Sequence, residues 1–188
     1  YTEFADQNGI SAPALDLNLL HDAYLLRLVS DSMTQAGFRE GCLYTDSGLS
    51  VMQEEQGETV YSLYALRDGA LAEADEVKLS SPSAFCQFRA MALDSQEHGF
   101  YSVQTDQGLL YRHAYVDART GQQHTVLMTA ALGGPRDRLV DLAYDLIALN
   151  MLPDEGEVRA RASALPENIF CAYTLQSDSD GSVVRVWK

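Results

Sequence analysis

The chain has 188 residues, 46% of them hydrophobic and 21% charged, which are globular proportions. A chain of this size buries roughly 70% of its unfolded surface in one domain and needs no metal or disulfide to fold. Its formal charge of −14 excludes a phosphate-facing surface for nucleic acid or anionic lipid, which needs clustered Lys and Arg, and leaves either plain solubility or a field that attracts a basic protein partner.

Residues 1–13 are polar, with Asn8-Gly9 as a turn and Ser11-Ala12-Pro13 as a stop. They read as a loosely held arm ahead of a single domain over 14–188. The chain opens at Tyr1 without a methionine, and no apolar run spans a bilayer. That start fits an exported bacterial chain whose leader has been removed, in the manner of a periplasmic lipoprotein with a lipid anchor; a cytoplasmic chain is the alternative. Lys78 and Lys188 are the only lysines, a usage that fits a GC-rich bacterial gene.

The first long helix is expected over about 15–36. Leu17, Leu20, Tyr24, Leu25 and Leu28 make one stripe, with Leu19, Ala23, Leu26, Val29 and Met33 beside it. So wide an apolar arc predicts burial on more than one side. Gly37 suits the C-terminal cap. His21 among these leucines reads as structural.

Strands are expected at 38–45, 49–53 and 59–67, with Asp46-Ser47-Gly48 as a turn. Glu54, Glu55 and Glu58 form an acidic hairpin tip. Residues 70–76 read as a short helix or irregular loop, 77–80 as a brief strand, and 84–94 as a strand carrying Cys86.

The best-patterned stretch is 99–152. A strand at 100–104 turns at Thr105-Asp106-Gln107-Gly108, and strands at 109–117 and 123–132 follow. A three-residue loop with left-handed Gly121 would pair Ala118 with Gln122. That register puts Leu110, Ala114, Val116, Val126, Met128, Ala130 and Leu132 on a core face. The other face carries Leu109, Tyr111, His113, Tyr115, Thr125, Leu127 and Thr129 and is expected to be half-wet or to line a groove. The same register sends His113 and His124 to opposite faces, so they cannot share a metal ion, whereas a loop one residue different would put them on one face. Gly133-Gly134-Pro135 is expected to break the sheet before a helix over about 136–151, apolar on one arc and acidic at Asp137, Asp141 and Asp145.

After Pro153 a short helix is expected around 158–164. Strands at 167–175 and 182–187 flank a loop at Ser177-Asp178-Ser179-Asp180-Gly181. The calcium-loop pattern fails there, because position 187 is Trp187 rather than glutamate. Helix, Cys-x-Tyr-Thr strand and Gly-turned hairpin occur twice, at Cys42 and at Cys171, a weak echo of internal duplication.

The fold these elements predict is α+β: a single domain with an antiparallel sheet of about six to eight strands, and two main helices (about 15–36 and 136–151) packed on it. No G-x-S-x-G or C-x-x-C motif is present. No catalytic residue, metal ligand or cofactor is therefore assigned. The function expected is that of a non-enzymatic exported binding protein, of the bacterial periplasmic lipoprotein or immunity-type inhibitor class, with a basic protein partner. The candidate binding residues are Tyr111, His113, Tyr115, Thr125, Glu54, Glu55 and Glu58. The alternative is a small-ligand carrier or enzyme with a pocket over the Tyr111, His113 and Tyr115 face.

Overall fold

The computed structural model describes residues 7, 18–67, 70–89, 101–106, 108–112, 115, 117, 120–177 and 182–186. The expected arm at 1–13 (save Gln7), His113 and the turn at 178–181 lie outside the described residues.

The element order is α1 (Asn18–Gln35), β1 (Cys42–Tyr44), β2 (Leu49–Met52), β3 (Glu58–Arg67), β4 (Ala70–Ser80), β5 (Ser83–Arg89), β6 (Tyr101–Thr105), β7 (Gly108–Arg112), β8 (Leu127–Pro135), a 3-10 turn (Arg136–Arg138), α2 (Leu139–Asn150), α3 (Glu155–Ser163), β9 (Phe170–Leu175) and β10 (Val184–Val186). Six strands form one antiparallel sheet in the order β1-β2-β5-β8-β9-β10, and β3–β4 and β6–β7 are separate two-stranded ribbons. The domain is α+β, as the alternating strand and helix periods predict.

The sheet is covered on both faces. On one, α1 packs over β1 and β2, and α2 over β5 and β8. Ala23, Leu26, Leu139, Leu142, Leu146, Val158 and Ala162 from the helices meet Val51, Ala84, Cys86, Leu132 and Cys171 from the sheet. On the other, Leu63, Val77 and Leu79 of the β3–β4 ribbon meet Phe85, Ala131, Phe170 and Ala172. Tyr61 stacks on Phe85 with centroids 4.6 Å apart and planes at 12°, and its hydroxyl lies 3.0 Å from Ser83 Oγ.

Several expectations are corrected by this layering. Residues 70–76 are strand, because Ala70–Ser80 pairs with β3 along its length, with Ala74 as the extra residue at a register shift between Leu63 and Tyr64. Gly133 and Gly134 do not break the sheet. They are buried in β8, where an added Cβ would stand 2.6 Å from Leu79 Cδ1 and 2.7 Å from Ile169 Cδ1 respectively. Glycine there reflects a strand covered closely on both sides.

The loop before β8 also differs. Asp117 pairs with Gln122, one residue from the expected Ala118 pairing, with Gly121 at φ 68°. The hairpin goes no further among described residues: β7 pairs with β6, and β8 lies between β5 and β9. A register shift between Leu127 and Thr129 changes the alternation, so Leu127 joins Ala130 and Leu132 in the helix-side core. At that shift the Thr129 N–H donates to Thr174 Oγ1 at 3.1 Å, and the two hydroxyls lie 2.8 Å apart.

The Cys-x-Tyr-Thr strands are not equivalent. Cys42 lies on edge strand β1 and is exposed, whereas Cys171 lies on inner strand β9 and is buried.

Candidate interaction surface

The residues singled out in the sequence do not converge on one face. Tyr111 lies in β7, in the β6–β7 ribbon. Tyr115 is half-buried and packs against the helix-side core, and burial pushes its phenol up to about 12. Thr125 is half-buried beside an open depression of about 420 Å³, which it lines with Val126, Pro153, Glu155, Gln176 and Ser177. Glu54, Glu55 and Glu58 are exposed, beyond the end of β2 where Met52 pairs with Ser83 and Ser83 with Pro135. Thr125 precedes the opposite end of β8. Eight residues of strand, roughly 27 Å, separate the two ends.

The acidic loop instead continues onto the outer face of the β3–β4 ribbon. Side chains alternate along a strand, and Tyr61, Leu63, Val77 and Leu79 point to the sheet. The other set therefore points out. Its cross-strand pairs are Glu58 with Ser80, Val60 with Lys78, Ser62 with Glu76 and Tyr64 with Glu73. Glu58, Val60, Glu73, Glu76 and Lys78 are all exposed. Residues 54–80 carry seven acids against two bases, the locally acidic part of an acidic chain.

The ribbon is closed at its Gly57 end and tied to the sheet at the middle of β4. Ser81 N donates to Gly57 O at 3.0 Å. Arg39 meets Glu55 at 2.7 Å, an exposed pair worth at most about 1 kcal/mol. Arg185 of β10 pairs with Asp75 and donates to the Glu76 carbonyl at 2.7 Å. Beside that contact an open depression of about 440 Å³ is lined by Asp75, Glu76, Val77, Lys78, Phe170 and Arg185.

Reading the sequence alone missed Glu73 and Glu76, because 70–76 did not read as strand. A period-2 reading carried back from Val77 and Leu79 finds them opposite Tyr64 and Ser62. It also missed the open face of α1. Leu25, Leu28 and Val29 are exposed, where burial on more than one side was expected.

Among the described residues no group of three or more His, Cys, Asp or Glu could hold a metal ion, and no helix is long and apolar enough to cross a membrane.

No protein-family model matches the sequence, and no curated protein matches it. The fold is similar to that of the ApbE protein from Thermotoga maritima, with a TM-score of 0.65 at 12% identity. The match covers 91% of this chain and 50% of that one, so the chain spans half the length of that protein. The likeness is one of fold.

Proposed function

We propose that the chain is a non-enzymatic binding protein, exported in the manner of a bacterial periplasmic lipoprotein or an immunity-type inhibitor, and that it takes a basic protein partner on the outer face of β3–β4. The observation that carries this reading is the row Glu58, Glu76 and Glu73 interleaved with Val60 and Tyr64, continuous with Glu54 and Glu55. Carboxylates around a few apolar side chains suit a basic surface: the field speeds encounter, and the apolar contacts hold the complex once formed.

The test is a photo-reactive residue at Val60 in the native host. A discrete adduct with a basic protein outside the cytoplasm is expected. Glu58→Gln with Glu76→Gln should cut its yield at least tenfold without changing thermal stability, and added salt should weaken capture. An acidic adduct, or one indifferent to both glutamates, would end the proposal.

The depression beside Thr125 favours a second reading, that of a small-ligand carrier or enzyme. A compound that raises the melting temperature of the wild-type chain and not of Thr125→Trp, which fills the depression, would support it.

A further inference from the structure

We propose that the outer face of α1 is where two copies of this chain meet. The surface is independent of the ribbon, which covers the opposite face of the sheet.

The apolar row is open to solvent on a helix whose other side is packed. Tyr24 is 61% exposed, Leu25 50%, Leu28 64% and Val29 40%, whereas Ala23 and Leu26 are buried. The flanks of α1 are identified by their bonds. Asp22 accepts from Ser47 Oγ at 2.6 Å, on the β1–β2 side. Arg27 donates to the Asp137 carbonyl at 2.5 Å, on the α2 side. On a helical wheel Tyr24 and Leu28 lean toward that second flank. Tyr144 of α2 is 58% exposed, a quarter-turn or so from Asp145, which Arg161 of α3 holds at 2.5 Å.

Charge selects the occupant. In a chain of −14, the 18–35 and 136–150 segments each carry a net charge of only −1. Three of their five carboxylates are matched by arginine: Asp31 by Arg27 at 2.7 Å, Asp141 by Arg138 at 2.7 Å and Asp145 by Arg161 of α3. A basic partner is drawn to the ribbon rather than here. A second acidic copy meets least repulsion here.

The row is also self-complementary under a twofold axis. In an antiparallel contact centred between Leu26 and Arg27, Leu25 faces Leu28 of the second copy and His21 faces Ser32. Leucine meets leucine and the ends are polar, and each contact recurs by symmetry, as an isologous interface requires. One 18-residue helix is about 27 Å long, and its footprint with the α2 flank falls below the ~800 Å² per partner of a standard interface. The association is therefore weak and reads as a concentration-dependent equilibrium.

Sedimentation equilibrium of the whole chain tests this. A monomer–dimer midpoint in the tens of micromolar is expected, on the order of ordinary weak association. Raising NaCl from about 0.05 M to about 0.5 M should strengthen it by screening like charges, the opposite of the salt effect expected at the ribbon. Leu25→Ser with Leu28→Ser should raise the midpoint at least about tenfold at unchanged melting temperature, and Glu58→Gln should leave it alone. In a Cys42→Ser background, His21→Cys with Ser32→Cys should cross-link on oxidation, and neither single substitution should. A monomer throughout, a dimer indifferent to Leu25 and Leu28, a dimer favoured by low salt, or cross-linking by either single variant would each overturn the proposal.

Discussion

Gly48 shows how a single position can be constrained twice. It sits at φ 89° in the turn between β1 and β2, and a Cβ there would overlap the Gln87 carbonyl oxygen of β5. The Gln87 N–H meanwhile donates to the Gly48 carbonyl at 2.9 Å. Gly57 has a similar φ of 109° with nothing within 4 Å of the Cβ position. Gly57→Ala should cost about 1 kcal/mol of backbone strain. Gly48→Ala should cost roughly 3 kcal/mol or more, because overpacking adds to strain. Urea denaturation of the two variants reads the difference, and equal losses would mean the turn moves away from β5 freely. Asp46-Ser47-Gly48 announces the turn in the sequence. The neighbour that forbids a side chain lies 39 residues away along the chain and is not announced.

At the scale of elements, β4 is the instructive case. Ala70-Leu71-Ala72-Glu73-Ala74 is made of good helix formers, yet it is strand. The ladder to β3 and the burial of Val77 and Leu79 against Phe85 and Ala131 outweigh a local preference of a few tenths of a kcal/mol per residue. Leu79 fills the space that Gly133 leaves over β8, and Phe85 Cδ2 lies 3.2 Å from where a Gly133 Cβ would stand. Leu79→Ala should cost roughly 2–5 kcal/mol and Gly133→Ala roughly 1–3 kcal/mol. Together they should cost less than their sum by about 1 kcal/mol or more, because the new methyl enters the space the leucine vacates. Strict additivity in the double-mutant cycle would show that the ribbon does not rest on β8. The helix expected near 136–151 is present as a 3-10 turn and Leu139–Asn150, and the one expected around 158–164 begins three residues earlier, at Glu155. Apolar spacing outlines the first, and Asp154 caps the second by accepting from Glu157 N at 2.9 Å.

Across the whole molecule, the thiols report on global unfolding. Cys86 and Cys171 both pair with Leu132, from opposite sides of β8. Two strand spacings, roughly 9.6 Å, separate them, beyond the ~7 Å limit for a disulfide. Both are buried, Cys42 is exposed, and all three are free. Burial pushes the Cys171 thiol up to about 12 and the Cys86 thiol higher still. At pH ~8, Cys42 should alkylate without unfolding, slowed somewhat because partial burial raises its thiol, and the other two only as fast as the sheet unfolds. A thiol that ionises less easily in the fold keeps its proton while the unfolded chain loses one. Stability should therefore fall as pH rises above about 8.5, by roughly 1–2 kcal/mol per buried thiol near pH 10. Alkylation of Cys86 at the rate of Cys42, or flat stability from pH 8 to 10, would contradict the buried row.

What the sequence by itself determined is what short-range physics controls: the α+β class, the two main helices, most strands, the turn glycines and the acidity of the loop at Glu54, Glu55 and Glu58. Each follows from side-chain periodicity or from the dihedral preferences of residues in contact along the chain. Only the tertiary structure decided which faces are covered. The β3–β4 ribbon lies over the sheet, so β8 has no open face to offer and Tyr115 turns into the core. The same layering carries Glu73 and Glu76 outward and leaves Leu25 and Leu28 of α1 without a neighbour. Coverage depends on contacts between residues far apart in sequence, and an apolar stripe looks the same in the sequence whether a neighbour covers it or solvent does.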